Sequence, residues 1–251
     1  MKKFFDEFEA GYLSFLFFIL KEKNNIKKQS AINKLNDYRR SKENIYLRKF
    51  QSKIFKILKV SHQKWLPYDY GQGYFYQGLK DISITGLRNT DLRFEKMELS
   101  KFLKGKSVLE IGCNTGFMSI LIAKIANNIT GFDINPYLIK IAKETSSFLK
   151  IKNCNFYLSN FEKFKCKNKF DCVVSFSNHS TYDGNTEQTL DQYFKKCFGL
   201  LKKDGFLLFG SHPPIIEKNN FHKTTKIIKK KFKIQVNKIL HYGTKLDDGR
   251  Y

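Results

Sequence analysis

Residues 107–117, SVLEIGCNTGF, decide how this chain folds. The apolar run at 107–111 is typical of a strand that is buried on both faces of a sheet. Gly112 and Gly116 follow it, and glycine lets the backbone approach a ligand closely because it has no side chain. Asn114, between them, is the non-glycine residue type that best tolerates left-handed backbone. The stretch therefore predicts a strand, a turn that can hold a ligand, and the start of a helix.

Short apolar runs alternate with helical patterns from this stretch onwards. The predicted strands are 107–111, 129–132, 155–158, 170–176, 205–210 and 232–240. The predicted helices between them are 117–126, 137–149, 187–201 and 221–231. This alternation predicts an α/β fold, with a doubly wound and mostly parallel sheet and right-handed crossovers. Ligands of such sheets bind beyond the carboxyl ends of the strands.

Three segments of the chain differ in composition. Residues 1–60 predict a helical N-terminal extension, since apolar residues recur among lysines near helical spacing. Residues 61–103 predict an aromatic and glycine-rich connector that ends in a helix and caps the site, and residues 104–251 predict the ligand-binding α/β domain. The apolar stretch 10–20 is too short to cross a membrane. It is either a helix docked on the protein or a weak contact with a membrane surface.

A second motif, GFDINP at 131–136, places an acidic residue at the end of the second predicted strand. Asp133 lies 21 residues after Gly112, which is the usual distance at which a carboxylate meets a ribose diol in an α/β nucleotide site. The dinucleotide pattern G-x-G-x-x-G is not matched, because Asn114 and Phe117 stand where its second and third glycines would be. The two motifs together predict a nucleoside site without that fingerprint.

Four motifs resemble those of the class I S-adenosylmethionine-dependent methyltransferases. They are VLEIGCNTG (108–116), GFDINP (131–136), FDCVVSFSNHS (170–180) and LLKKDGFLLFGSHPP (200–214). The resemblance covers roughly residues 100–240 and is specific for fold and cofactor, much less so for substrate. It implies a Rossmann-like domain over 104–251 that binds S-adenosyl-L-methionine and belongs to an enzyme.

The resemblance also implies roles for individual residues. Glu110 and the turn backbone would cradle the methionine portion, Asp133 would hold the ribose, and Ile134 would pack against the adenine. Asn160 stands where the family often has an aspartate for the adenine amino group, and its amide oxygen can accept the same hydrogen bond. The cofactor-binding residues implied in this way are Glu110, Gly112, Cys113, Asn114, Gly116, Asp133, Ile134 and Asn160.

Two arginines extend this set. The connector is similar to a segment that precedes the first motif in relatives of the enzymes that modify the tRNA wobble uridine, where arginines close over the site. Arg88 or Arg93 would then hold the methionine carboxylate through two hydrogen bonds. The alternative is that both are surface residues that pair with Asp91 or Glu95.

Two histidines are candidates for the catalytic step. His179 and His212 follow the fourth and fifth predicted strands, where the methyl acceptor should bind. A histidine can take a proton from a hydroxyl as the methyl group arrives. The alternative is that one or both are structural. The tetrad (Asp/Asn)-Pro-Pro-aromatic of many amino-methylating enzymes is absent, because residues 177–180 are SNHS. We therefore expect O-methylation of a small molecule or of a glycan sugar.

Composition leaves two other functions open. The net charge is +23, and lysines are dense in residues 1–60 and 218–238, so an RNA methyltransferase that uses these basic ends is one alternative. Only six of the 46 basic residues are arginines, although arginine is favoured for bidentate phosphate contacts, so nucleic acid is the less favoured partner. A catalytically silent cofactor-binding module is the other alternative.

The remaining expectations concern compartment, metal and the carboxyl end. Five cysteines without a CxxC pair predict free thiols in the cytoplasm, and no motif requires a metal. In the family that this chain resembles, a final antiparallel strand follows the sixth strand, and we expect that strand to be absent because the chain stops at Tyr251. The sequence leaves the oligomeric state open.

Overall fold

The structure, a computed structural model, describes residues 23–65, 68–179, 188–211 and 220–237. The chain divides into two compact units, Met1–Asn89 and Thr90–Tyr251. The predicted connector 61–103 is thus shared between them, and its function as a cap stays a prediction. In the described residues, no helix is both long and apolar enough to span a membrane. The apolar stretch 10–20 lies outside the described residues.

The first unit contains the predicted N-terminal helices. Helix α1 is Asn25–Ser41 and helix α2 is Ile45–Lys64. Asn24 and Asn44 cap them, because each side chain accepts hydrogen bonds from backbone N–H groups of the first turn. A single 3₁₀ turn, Lys80–Ile82, lies in the aromatic and glycine-rich segment that follows.

A buried carboxylate joins α1 to that segment. Asp37 accepts hydrogen bonds from the Tyr74 hydroxyl, from the Thr85 N–H at 2.7 Å and from the Thr85 hydroxyl at 2.6 Å. The Arg40 guanidinium also donates to it. A buried charge is tolerated only when it is well hydrogen-bonded, and these donors meet that condition within one unit.

The second unit is an α/β sheet with helices between its strands. Its strands are β1 Ser107–Ile111, β2 Asn128–Asp133, β3 Cys154–Leu158, β4 Phe170–Phe176 and β5 Leu201–Gly210. Its helices are α3 Thr90–Lys96, α4 Leu99–Leu103, α5 Phe117–Ala123, α6 Pro136–Phe148, α7 Leu190–Gly199 and α8 Asn220–Lys229. The strand order is β3-β2-β1-β4-β5, and every pairing is parallel. The predicted fold class is confirmed.

Two hydrophobic clusters pack on opposite faces of this sheet. Leu109 and Ile111 of β1 belong to one cluster, and Val108 belongs to the other. Successive residues of a strand point to opposite faces, so the apolar run of β1 supplies both clusters. Glu110 therefore shares a face with Val108, at the carboxyl end of the strand.

Three predicted elements differ most from the structure. The helix predicted at the end of the connector is two helices, α3 and α4, because Glu98 between them has a left-handed φ of 52°. β5 begins at Leu201 instead of residue 205, since Leu201 pairs with Phe170 across a register shift.

The third difference is the predicted sixth strand. Residues 232–237 form no strand, while 238–240 lie outside the described residues. Val236, an apolar residue of this segment, is 60% exposed, and in the described residues β5 is paired with β4 alone. Alternating apolar residues define a face, but a strand also needs a neighbour for its backbone. The predicted absence of a final strand concerns residues that the structure does not describe.

Candidate active site

The turn after β1 has the backbone that its sequence predicts. Gly112, Asn114 and Gly116 have φ values of +63°, +55° and +72°. The expected left-handed conformation of Asn114 is confirmed. A Cβ on Gly112 would lie 2.4 Å from the Asn178 Oδ1, and a Cβ on Gly116 would lie 2.6 Å from the Phe156 ring. Both positions need glycine for space as well as for conformation.

Asp133 ties the end of β2 to this turn. Its Oδ2 accepts from the Asn114 N–H at 2.8 Å, and its Oδ1 accepts from the Asn135 N–H at 3.0 Å. Each carboxylate oxygen can accept a further hydrogen bond. Asp133 can therefore hold the turn in place and still accept from two neighbouring hydroxyl groups of a ligand.

Glu110 is a buried carboxyl group at the end of β1. It accepts hydrogen bonds from the hydroxyl and backbone of Ser119, at the start of α5. Burial raises the pKa of Glu110 from 4.5 to about 8. The Ser119 hydrogen bonds and the nearby Arg93 charge oppose this rise, whereas the Asp133 charge adds to it. Arg93 itself is buried, with its guanidinium 5.8 Å from the centre of the Phe176 ring. Two acids and one base thus lie near one another at the carboxyl ends of β1 and β2.

The end of β4 is fastened to the same turn. Asn178 donates from Nδ2 to the Ile111 carbonyl at 2.5 Å and packs against Gly112. His179, the next residue, is only 6% exposed, and its ring lies 5.0 Å from the Phe209 ring in an edge-on contact. Sequence reasoning missed Asn178. The only signal was an amide side chain at a strand end, directly before the histidine.

The model of the family described as "Methyltransferase domain" matches residues 102–244, which is more than half of the chain. The chain belongs to this methyltransferase family. The predictions of S-adenosylmethionine-dependent class I family, cofactor and enzyme class are confirmed at the level of the family.

Several proteins are similar to this chain. A protein of Geobacillus sp. (strain WCH70) that is named as a methyltransferase is 27% identical over 146 residues, which is 58% of this chain and 51% of that protein. The release factor glutamine methyltransferase of Fusobacterium nucleatum is 33% identical over 47% of this chain and 36% of its own. The ubiquinone biosynthesis O-methyltransferase of Pelagibacter ubique is 24% identical over 64% of each. The chain thus spans only 36 to 64% of the length of these relatives.

A solved structure supports the fold. The N-methyltransferase NodS of Bradyrhizobium japonicum WM9, in complex with S-adenosyl-L-homocysteine, has a TM-score of 0.53 and 16% identity. The similarity covers 65% of this chain and 86% of that one.

The other predicted site residues of the methyltransferase have different placements. Ile134 is half-buried, directly after Asp133. The Asn160 Oδ1 accepts from the Lys163 N–H at 2.7 Å, so the oxygen that was predicted to bind adenine also caps a turn. Arg88 belongs to the first unit. Its backbone N–H donates a hydrogen bond to the Tyr76 carbonyl, and its carbonyl accepts one from the Gly78 N–H.

Two further predictions concern His212 and a metal site. His212 lies outside them. No group of three or more metal-ligating side chains occurs in the described part of the chain.

Proposed function

We propose that this protein transfers a methyl group from S-adenosyl-L-methionine to a hydroxyl group of a small molecule or glycan sugar. The observation that carries the proposal is the bond between Asn178 and the Ile111 carbonyl. It fixes the end of β4 against the Gly112 turn, so that His179 follows directly after a residue that packs on the cofactor-binding loop. The name of the Pelagibacter relative, an O-methyltransferase, supports the same class of acceptor.

The residues around the turn fit the cofactor. The Glu110 carboxylate suits the methionine ammonium group, and the neighbouring Arg93 guanidinium suits the methionine carboxylate in a bidentate contact. The two oxygens of Asp133 suit the ribose hydroxyls, and Ile134 offers an apolar surface to the adenine. Asn178 packs 2.4 Å from where a Cβ on Gly112 would be, so only glycine fits at this position of the turn.

When bound, the cofactor supplies an activated methyl group on a positively charged sulfur. The protein contributes mainly orientation, because holding acceptor and donor in line removes much of the entropic barrier. His179 accepts the proton of the acceptor hydroxyl at an imidazole nitrogen as the new C–O bond forms. His212 is a second candidate for this role. Histidine suits the step because its ordinary pKa lies near neutrality.

A labelled-methyl screen tests the proposal. Purified protein and cofactor with a labelled methyl group are incubated with fractionated cell extract, and labelled products are sorted into hydroxyl, amine and RNA acceptors. Labelled methyl ethers in the small-molecule or glycan fraction support the proposal. Label in RNA would favour the RNA methyltransferase instead.

Calorimetry with S-adenosyl-L-homocysteine separates the remaining outcomes. Binding of this compound without transfer in any fraction would identify a silent cofactor-binding module. No binding at all, together with tight binding of NAD, would contradict the cofactor assignment and the proposed function with it.

A further inference from the structure

The connection between β3 and β4 leaves part of one sheet face open. Residues 159–169, all of which the structure describes, form no helix. A groove of about 1090 Å³ lies between this connection and the sheet. Polar residues of three strands line the sheet side of the groove: Ser107, Asn128, Thr130 and Asn155. A sheet face that packs on a helix is normally apolar, so the polar part of this face suits contact with solvent or a polar ligand.

Lysines line the other side of the groove. Lys163, Lys165, Lys167 and Lys169 occupy alternate positions of the connection, all four are exposed, and all four line the groove. Lys202 also lines it, but this lysine is paired with Asp171 at 3.0 Å. Four positive charges are therefore concentrated on one wall of one groove.

The connection that carries these lysines is anchored. Phe161 and Phe164 are buried in the core, where the Phe164 ring stacks on Phe132 with centres 4.2 Å apart. Lys196 of α7 donates to the carbonyl groups of Phe161 and Glu162. The lysine side chains thus extend from a fixed backbone, which reduces the entropy lost when a ligand binds.

The edge strand adds a hydrophobic platform. Tyr157 and Leu158 of β3 line the groove and are 53% and 57% exposed. Phe156, the residue before Tyr157, points to the face of the sheet opposite to Tyr157, where it is buried against the turn glycine Gly116. An exposed aromatic ring beside a row of cations is the combination that binds single-stranded nucleic acid, since bases stack on the ring and phosphates contact the lysines.

We infer that this groove binds a single-stranded nucleic acid segment, through its phosphates and one stacked base. The groove has no arginine among its lining residues, and lysine acts as a point charge without bidentate geometry. The binding is therefore independent of base sequence. The groove shares no lining residue with the predicted cofactor-binding and catalytic residues, and the inference does not rest on the proposed function.

Fluorescence anisotropy with a labelled single-stranded RNA tests the inference, using an oligonucleotide of about 12 nucleotides, within the usual site size. The test protein is the full chain with Lys163, Lys165, Lys167 and Lys169 all replaced by Gln. We expect its affinity to fall by at least about tenfold near 0.1 M salt, and its slope of log K against log salt to become shallower by about 3. A DNA oligonucleotide of the same length and sequence shows whether the groove prefers RNA or DNA.

A matched variant controls for the charge of the whole chain. Lys96, Lys104, Lys140 and Lys143 are exposed and do not line the groove. Replacing all four by Gln removes the same charge and should leave most of the binding. Equal losses in both variants, or no binding by the unaltered protein, would overturn the inference.

The platform has its own test. Tyr157→Ala should weaken binding at least about fivefold, whereas Tyr157→Phe should retain it, because stacking needs the ring and not the hydroxyl. Competition with heparin and with anionic lipid vesicles completes the experiment. If either displaces the oligonucleotide equally well from the unaltered protein and from Tyr157→Ala, the ligand is a different polyanion and the assignment to nucleic acid is wrong.

Discussion

Asp37 in the first unit and Glu110 in the second are both buried carboxyl groups, yet their surroundings differ. Asp37 accepts from Tyr74, Thr85 and Arg40, which belong to its own unit. Glu110 accepts from Ser119 beside a turn of left-handed residues at the carboxyl end of a strand. The first carboxylate joins parts of the fold to one another. The second lies where ligands of a parallel sheet bind, and it suits a charged group from outside the protein.

The largest expected effect is on turnover. His179→Ala should lower turnover by about 10²–10⁴-fold, since a general base of this kind contributes that much. The affinity for cofactor should change little, whereas the free energy of unfolding should fall because the buried His179 ring is lost from its contact with Phe209. Methyl transfer at saturating cofactor, together with urea unfolding, measures both.

His222→Ala is the matched control, because His222 is an exposed histidine of the same unit. If His179→Ala keeps full turnover, His179 is structural and its contact with Phe209 is its role.

The second effect is on stability, in the first unit. Asp37→Asn replaces one acceptor oxygen by a donor that faces the Thr85 and Arg40 donors, and a buried polar group left without its partner costs about 1–3 kcal/mol. We expect the free energy of unfolding to fall by about 2–3 kcal/mol, measured by urea denaturation. Asp81→Asn, at an exposed position in the same unit, should change it by less than about 0.5 kcal/mol. A mild effect of Asp37→Asn would contradict the structural interpretation.

The third effect is on cofactor affinity. Asp133→Ala should weaken binding of S-adenosyl-L-homocysteine by about 1.5–3 kcal/mol, the usual range for hydrogen bonds to a charged group. Part of this loss comes from the Asn114 N–H, which Asp133 fixes. An analogue without ribose hydroxyls separates the two contributions by calorimetry. The unaltered protein should prefer the ribose form, and the variant should not. An unchanged preference in the variant would remove Asp133 from the ribose site.

The smallest effect is on the pH dependence of binding. The Glu110 pKa is raised to about 8, so below this pH the cofactor-free protein holds a proton there. Binding of an ammonium group favours the carboxylate and releases that proton. Affinity should therefore rise up to about tenfold per pH unit below pH 8 and level off above it.

Two controls belong to this measurement. In Glu110→Gln the rise should be absent. The free energy of unfolding of the cofactor-free protein should fall as the pH rises. A carboxyl group whose pKa is raised in the folded state stabilises the fold at low pH, and this contribution is lost between about pH 4.5 and about pH 8. A flat affinity profile in the unaltered protein would place the methionine ammonium elsewhere.

The sequence predicted the centre of the sheet and of the site better than their edges. β1 and β4 have the predicted bounds, because an apolar run buried on both faces has few alternative structures. Residues 232–237 have a similar alternation, but a strand depends on a neighbour that local sequence does not encode. The left-handed Asn114 followed from residue type alone. Asn178 did not, because its role is a contact with a carbonyl 67 positions away.

The anchored connection between β3 and β4 also has a practical consequence. Of the five cysteines, Cys166 is the one that is exposed, and it lines the groove among the lysines. Three of the others are buried and the fourth is half-buried. A maleimide dye therefore reacts first at Cys166, without any engineered substitution. Its emission reports directly on what enters the groove, and a quencher on the oligonucleotide turns that emission into a distance measurement.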